Sequence, residues 1–407
     1  MAVNLKAPEH LHAVRGVRLG TAEAAIKKPG RKDLLVIELA PGTRVAGVFT
    51  RSAFSAAPVQ ICRRILGGTE PQARALLVNA GNANAATGSG GIEDAEATMA
   101  AVAQQLGCAR DQVLPFSTGV IGQRLPVGRM LAAVPAACAA LSADGWQDAA
   151  RAIMTTDTVP KGATRQVDTA QGRVTVTGIA KGVGMICPDM ATLLAFVATD
   201  ARLTAEATRT LLGRAVGESF NCVTVDGDTS TNDSCVLAAT AQVGSEDVGV
   251  SHPDFAAIAD AVIEVCCELA QAIVRDGEGA TKFITIEVHG ARDEAEARRV
   301  GYSVAHSPLV KTAMFASDAN WGRVVMAIGK ADVEALDPSG VSVALDDVAL
   351  IEAGEPHPAY TEAAGSAVVA RSEFTIRIGL GRGHAAARLW TCDFSYDYVK
   401  INAEYRT

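Results

Sequence analysis

Two hydrophobic periodicities alternate along this chain of 407 residues, and together they confine it to a mixed α/β fold. Apolar and β-branched runs bounded by Gly, Pro or charge read as strands: DLLVIELA (33–40), RVAGVFT (44–50) and ARALLVNAG (73–81). GRVTVTGIAKG (172–182) alternates residue by residue, as a half-buried strand does, and LLAFVATDA (193–201) reads as a fully buried one. Segments of helical period stand between them. GIEDAEATMAAVAQQLG (91–107) carries acids in its first turn and a closing glycine, and ADGWQDAARAIMTT (143–156) is a second helix. The clearest helix begins at Ser251-His252-Pro253, with Phe255, Ile258, Val262, Cys266, Leu269 and Ile273 on one apolar face. A strand, FITIEVHG, follows Lys282; helices lie near 307–318 and 321–332, and the strands EFTIRIGLG and AAARLWTCDF close the chain. No internal repeat or low-complexity linker interrupts this order. Helices layered on sheets are the expected architecture, with a larger domain over 1–280 and a smaller one over 281–407.

Composition narrows the function. Hydrophobic residues are 49% and charged residues 20%, which describes a well-packed globular protein. A net charge of −8, no Lys/Arg-rich run and only 4% aromatics argue against nucleic acid as a partner. No apolar run reaches membrane-spanning length, and the N-terminus lacks a charged leader with an apolar block. A soluble cytoplasmic protein with no membrane partner is expected. The nine cysteines are scattered without a C-x-x-C pair, so reduced thiols are expected rather than disulfides or zinc. Cys266 and Cys267 read as packing within the long helix.

Several motifs are weaker than they look. GLGRG (379–383) lacks the helix and the distant acid of a dinucleotide fingerprint, and reads as a hairpin turn. NAGNANAATGSGG (79–91) has no G-K-[ST] ending and reads as a loop of unusual backbone that lines a site. The seven histidines show no metal spacing and no G-x-S-x-G context. VDGDTSTND (225–233) departs from the calcium-loop pattern and reads as a polar loop feeding a site. PFSTGVIG (115–122) reads either as a strand-end turn or as an anion pocket, in which the Thr118 hydroxyl and the Gly119 amide aim at one oxygen.

Thr192 stands directly before the strand LLAFVATDA, with no histidine nearby in sequence to activate it. A threonine can carry its own base. If the Ala191–Thr192 bond is broken, the hydroxyl gains a neighbouring α-amine, whose ordinary pKa of about 7.7–8.0 leaves a useful neutral fraction at neutral pH. The hydroxyl could break that bond itself by an N-to-O acyl shift followed by hydrolysis of the ester. On the residues alone, a strand that begins at threonine remains the ordinary reading.

KGVGMICPDMATLLAF (181–196) resembles the self-cleavage motif of the ornithine acetyltransferases of arginine biosynthesis, also called bifunctional glutamate N-acetyltransferases. AGVFT, AAPV, NAGNANAATG, STGVIG, MTTDT, NCVTVDGDTSTND, DGEGATK and WTCDFSYDYVKINAEYRT carry the resemblance along nearly the whole chain, with Cys187 and Leu193 as mild departures. The resemblance implies a layered α-β-β-α sandwich and a self-cleaving acyltransferase of the N-terminal-nucleophile type. It implies a cut between Ala191 and Thr192 into chains 1–191 and 192–407, which stay associated as a heterotetramer or larger. It implies acetyl transfer from N-acetyl-L-ornithine to L-glutamate through acetyl-threonine, with acetyl-CoA as a donor in some members. Carried over by position, Thr192 is the nucleophile and its α-amine the base, and Thr118 and Gly119 form the oxyanion hole. Thr155, Lys181, Thr192, Glu278, Asn402 and Thr407 become substrate contacts, and the chain end folds into the site. Such acyl transfer calls for no cofactor and no metal. Two rivals keep parts of this reading: an N-terminal-nucleophile amidase that passes the acyl group to water, and a metabolite-binding protein that never matures.

Overall fold

The computed structural model describes residues 2–68, 73–187 and 193–404. The chain divides into two compact units, a larger one of Ala7–Asn221 with Asp228–Ile273 and a smaller one of Met1–Lys6, Cys222–Gly227 and Val274–Thr407. Among the described residues no helix is long and apolar enough to cross a membrane.

The strands of the larger unit are β1 (Val17–Ala22), β2 (Leu34–Leu39), β3 (Arg44–Phe49), β4 (Ala75–Asn82), β5 (Val113–Val120), β6 (Lys161–Thr169), β7 (Gly172–Lys181), β8 (Leu194–Leu203) and β9 (Ser234–Val248). They form two sheets, ordered β1-β2-β4-β5 and β3-β9-β8-β7-β6. Pairing is antiparallel except between β4 and β5 and between β8 and β9. The helices are α1 (Ala57–Leu66), α2 (Gly88–Leu106), α3 (Val127–Ala139), α4 (Trp146–Ala152), α5 (Ala205–Glu218) and α6 (Phe255–Arg275), whose last two residues belong to the smaller unit.

Alternation along each strand sets the layers. Leu19, Ile37, Val78 and Phe116 from the first sheet meet Ile179, Phe196 and Val236 from the second in one core. Phe116 and Phe196 touch edge to face across it, with ring centroids 5.0 Å apart. The intervening residues Leu34, Val36, Leu77 and Val113 point the other way, onto Met99 and Val102 of α2 and Met130 and Val134 of α3. On the far side of the second sheet, α6 lies so close that a Cβ on Gly178 would stand 3.0 Å from Val265 and Leu269. α5 packs on β3 and β9 of the same sheet. The result is helix, sheet, sheet, helix, as the sequence resemblance implied. Truncating either core phenylalanine to alanine should cost about 3–5 kcal/mol.

The smaller unit has a sheet ordered β13-β12-β11-β14-β10-β15. Its strands are β10 (Phe283–Ala291), β11 (Ser342–Leu345), β12 (Val348–Glu352), β13 (Glu355–Pro356), β14 (Glu373–Gly379) and β15 (Ala385–Cys392). Its helices are α7 (Glu294–Ala305), α8 (Pro308–Phe315), α9 (Trp321–Gly329), α10 (Glu362–Val369) and α11 (Tyr396–Ala403). Side-chain oxygens of Asp293, Ser307, Asn320, Thr361 and Ser395 cap their first turns.

Two expectations change. GLGRG is not a hairpin turn, because β14 and β15 do not pair with each other. They flank β10, β14 parallel to it and β15 antiparallel. The connection wraps the end of β10, where Leu380 N–H donates to His289 O (3.0 Å) and Arg382 and Gly383 donate to Gly290 O (2.7 and 2.9 Å). Five residues span two strand spacings, roughly 10 Å, which is within reach of an extended chain. The helix expected over 143–156 is confined to Trp146–Ala152, because beyond it the Thr155 N–H is taken by the Asp157 carboxylate.

Candidate active site

The expected oxyanion pair lies at the end of β5. There the parallel β4–β5 register shifts at Gly81 and Asn82, opposite Thr118 and Gly119. Gly119 has φ +133°, and a Cβ on it would sit 2.2 Å from Gly81 C and 2.5 Å from Asn82 N, so no other residue fits without moving the backbone. PFSTGV is therefore strand with a strained exit, not a turn after a strand. Three asparagines and a serine fix the crossing. The Ser117 hydroxyl lies 2.6 Å from Asn79 Oδ1, Asn79 Nδ2 donates to Asn82 O (2.8 Å), and the Asn82 amide reaches Gln123 O and Arg124 O (3.2 and 3.1 Å). Asn84 Nδ2 donates to Gly91 O at 2.8 Å and ties the turn to α2. The stretch 79–91 is therefore not one loop, as expected from sequence: 79–82 end β4 and 88–91 open α2, and the asparagines brace the short connection between them.

Lys181 ends β7 and is buried, and its ammonium donates to Thr118 Oγ1 at 3.1 Å. Behind it lies a carboxylate that the sequence reading did not single out. Asp157 Oδ1 accepts from Lys161 Nζ (2.7 Å) and from Gly182 N–H (2.8 Å), while Oδ2 accepts from Thr155 N–H (3.0 Å). The Asp157 and Lys161 side chains are both 0% exposed. Burial alone would raise the Asp157 carboxyl, but the Lys161 and Lys181 ammonium groups and the donated hydrogen bonds hold it well below the usual carboxylate range. Asp157 therefore joins Thr155, Gly182 and the lysine pair into one charged cluster.

A second buried acid sits at the entry to β9. Asp233 is 0% exposed, and its Oδ1 accepts from Leu193 N–H at 3.0 Å. Its Oδ2 has no hydrogen-bond partner among the described residues. Burial pushes this carboxyl well above its ordinary range, against the opposing pull of the Leu193 amide, the Ser230 hydroxyl and the Lys181 ammonium. Next to it, Asn232 Nδ2 donates to Ala83 O (2.6 Å) and Ser117 O (2.8 Å). The polar end of VDGDTSTND is thus hydrogen-bonding framework. Among the described residues, no group of three His, Cys, Asp or Glu is placed to hold a metal ion.

In the smaller unit, Glu278 is buried and its Oε2 accepts from Asn402 Nδ2 of α11 at 3.0 Å. The Ser395 hydroxyl donates to Gly279 O (2.6 Å), and Phe394 stacks on Tyr398 with centroids 4.6 Å apart, so α11 is seated on the turn that carries Glu278. The structure therefore brings Thr118, Gly119, Thr155 and Lys181 together in the larger unit and Glu278 with Asn402 in the smaller. Ala191, Thr192 and Thr407 lie outside the described residues. Asp157, Lys161, Asn232 and Asp233 were within quoted strings or beside them, but only their burial and bonding mark them out.

The whole chain is similar to known proteins. The ArgJ family profile matches residues 18–407. The chain is 56% identical over 394 residues to the arginine biosynthesis bifunctional protein ArgJ of Methylococcus capsulatus, covering 97% of this chain and 96% of that protein. It is 51% identical over 408 residues to the protein so described in Pseudomonas fluorescens, with 100% of each covered. Among solved structures it is similar to the ornithine acetyltransferase of Mycobacterium tuberculosis complexed with ornithine, at 38% identity over 44% of this chain and 94% of that one, with a TM-score of 0.41. The chain belongs to the ArgJ family. It is a bifunctional acetyltransferase of arginine biosynthesis, with ornithine acetyltransferase (glutamate N-acetyltransferase) and amino-acid acetyltransferase activities.

Proposed function

We propose that the acetyl group travels on Thr192, after the chain has cut itself between Ala191 and Thr192. The Thr192 hydroxyl adds to the acetyl carbonyl of N-acetyl-L-ornithine while its own α-amine takes the hydroxyl proton. The tetrahedral oxyanion is received by the Thr118 hydroxyl and the Gly119 amide. Collapse breaks the amide C–N bond, the α-ammonium returns the proton to the departing amine, and ornithine leaves acetyl-threonine behind. The neutral amine of L-glutamate then attacks the ester, and the same steps run in reverse order to release N-acetylglutamate. Acetyl-CoA loads Thr192 by the same addition, with a thiol as leaving group.

The observation that carries this reading is the Lys181–Thr118 hydrogen bond of 3.1 Å. An ammonium has donors and no acceptor, so the Thr118 oxygen must accept and its own proton points elsewhere. The hydroxyl becomes a donor polarised by a cation, beside the amide of a residue with no side chain. That is what a developing oxyanion requires. Thr155, Lys181, Glu278, Asn402 and Thr407 are assigned to substrate binding, since amino-acid substrates present both a carboxylate and an amine. The cleaved chains 1–191 and 192–407 are assigned to a heterotetramer or larger assembly in the cytoplasm.

The reaction is tested by following ornithine release from N-acetylornithine with and without glutamate. Release that depends on glutamate and yields N-acetylglutamate supports the transferase. Equal release without glutamate makes the protein an amidase.

A further inference from the structure

Asn232 and Asp233 are consecutive, buried, and bonded in two directions. Asp233 Oδ1 holds the Leu193 N–H at 3.0 Å, and the Ser234 N–H donates to the Leu193 carbonyl at 3.0 Å, so both backbone polar groups of Leu193 are bracketed by the entry to β9. Leu193 follows Thr192 directly in the chain, and one planar peptide joins the two. In the other direction, Asn232 Nδ2 donates to the Ser117 carbonyl at 2.8 Å, and that peptide ends at the nitrogen of Thr118. We propose that Asn232 and Asp233 are positioning residues that hold the nucleophile and the oxyanion hole at a set separation, Asp233 through the Leu193 amide and Asn232 through the Ser117 carbonyl. This rests on the assignment of Thr192 and Thr118 above.

Strand pairing alone does not account for the carboxyl. β8 and β9 are already joined through the parallel pairing that starts at Leu194 and Ser234. A buried acid is a costly way to add one acceptor for a backbone amide. The surrounding chain is immobilised as well. The Thr50 N–H donates to Asp233 O at 3.0 Å, the Asn232 N–H to Ser230 Oγ at 3.0 Å, and the Thr50 hydroxyl to Ser230 O at 2.7 Å. Leu193, the chain neighbour of Thr192, and Ser117, the chain neighbour of Thr118, are thus referenced to adjacent residues of one braced segment. Misplacement by about 1 Å can cost on the order of 100-fold in rate.

The experiment uses the full chain. Asp233→Ala should slow conversion of the precursor to two chains, and should lower kcat per cleaved enzyme about 100-fold while KM for both substrates stays near wild type. Asp233→Asn keeps the acceptor for the Leu193 amide and the shape of a neutral acid, and should recover most of both rates. Asn232→Ser should lower kcat in the same manner from the oxyanion side. Wild-type rates in Asp233→Ala, a loss carried by KM alone, or an Asp233→Asn variant as slow as the alanine would each overturn the proposal. If Asp233→Ala does not fold, by circular dichroism, the asparagine and Asn232→Ser variants decide it by the same criteria. Thr192→Ala is run in parallel: cleavage persisting there removes the underlying nucleophile assignment whatever the Asp233 series does.

Discussion

The ammonium of Lys181 lies 3.1 Å from the hydroxyl oxygen of Thr118, at the ends of strands from two different sheets of one sandwich. The lysine has come to the threonine because each sheet places its polar exit at the same edge of the shared core. Its donated hydrogen bond makes the threonine a donor to the substrate. Thr118→Val removes that donor and preserves shape, so kcat should fall about 100- to 1,000-fold with KM little altered. Steady-state kinetics with N-acetylornithine and glutamate check this.

The Asp157–Lys161 pair is wholly buried. Asp157→Ala leaves the Lys161 ammonium without its 2.7 Å partner and the Thr155 and Gly182 amides without theirs, and should destabilise the fold by about 3–5 kcal/mol in urea titrations. Asp157 binds its proton less readily when folded than when unfolded. Its contribution is therefore present above the ordinary aspartate pKa of about 3.9 and is lost as pH falls below it.

His306 titrates in a separate window. Burial first, then the Lys311 and Lys330 ammonium groups, lower its pKa to about 4. The unfolded imidazole takes up a proton near pH 6.5, so between about 6.5 and 4 only the unfolded chain binds it. Stability should be full above that window and decline through it, by at most about 3 kcal/mol. Thermal melts across the window should show this slope, and His306→Gln should flatten it.

How far the sequence reached is clearest at α6 and Gly119. The apolar face from Phe255 to Ile273 needed only helical period, and the helix is there, although Pro253 precedes its first residue rather than sitting inside it. The strand 172–182 was legible as a strand, but not as a half-buried one: every residue from Val174 to Lys181 is buried, because this sheet is covered on both faces. GLGRG was misread as a hairpin because which strands become neighbours is decided by the whole sheet, not by the turn between two of them. Thr118 and Gly119 were reached through a motif, but the cause of the glycine, a register shift against Gly81, is a contact between distant segments. Asp157 and Asp233 escaped notice because an acid in a loop looks solvated until the chain is folded around it.

The Glu278–Asn402 hydrogen bond of 3.0 Å couples the turn after α6 to α11. Asn402→Ala leaves a buried carboxylate short of a donor that orients it. A hydrogen bond to a charged group contributes about 1.5–3 kcal/mol, so kcat/KM should fall by about 10- to 150-fold, with wild-type self-cleavage. A denaturing gel and steady-state kinetics on the same preparation separate the two effects.

Intact mass spectrometry of the purified enzyme, before and after N-acetylornithine, tests the acetyl-threonine account most directly. The account predicts two polypeptides, 1–191 and 192–407, with one acetyl mass added to the second alone and removed on adding glutamate. A single uncut chain in an active preparation, or an acetyl group on the first polypeptide, would contradict it.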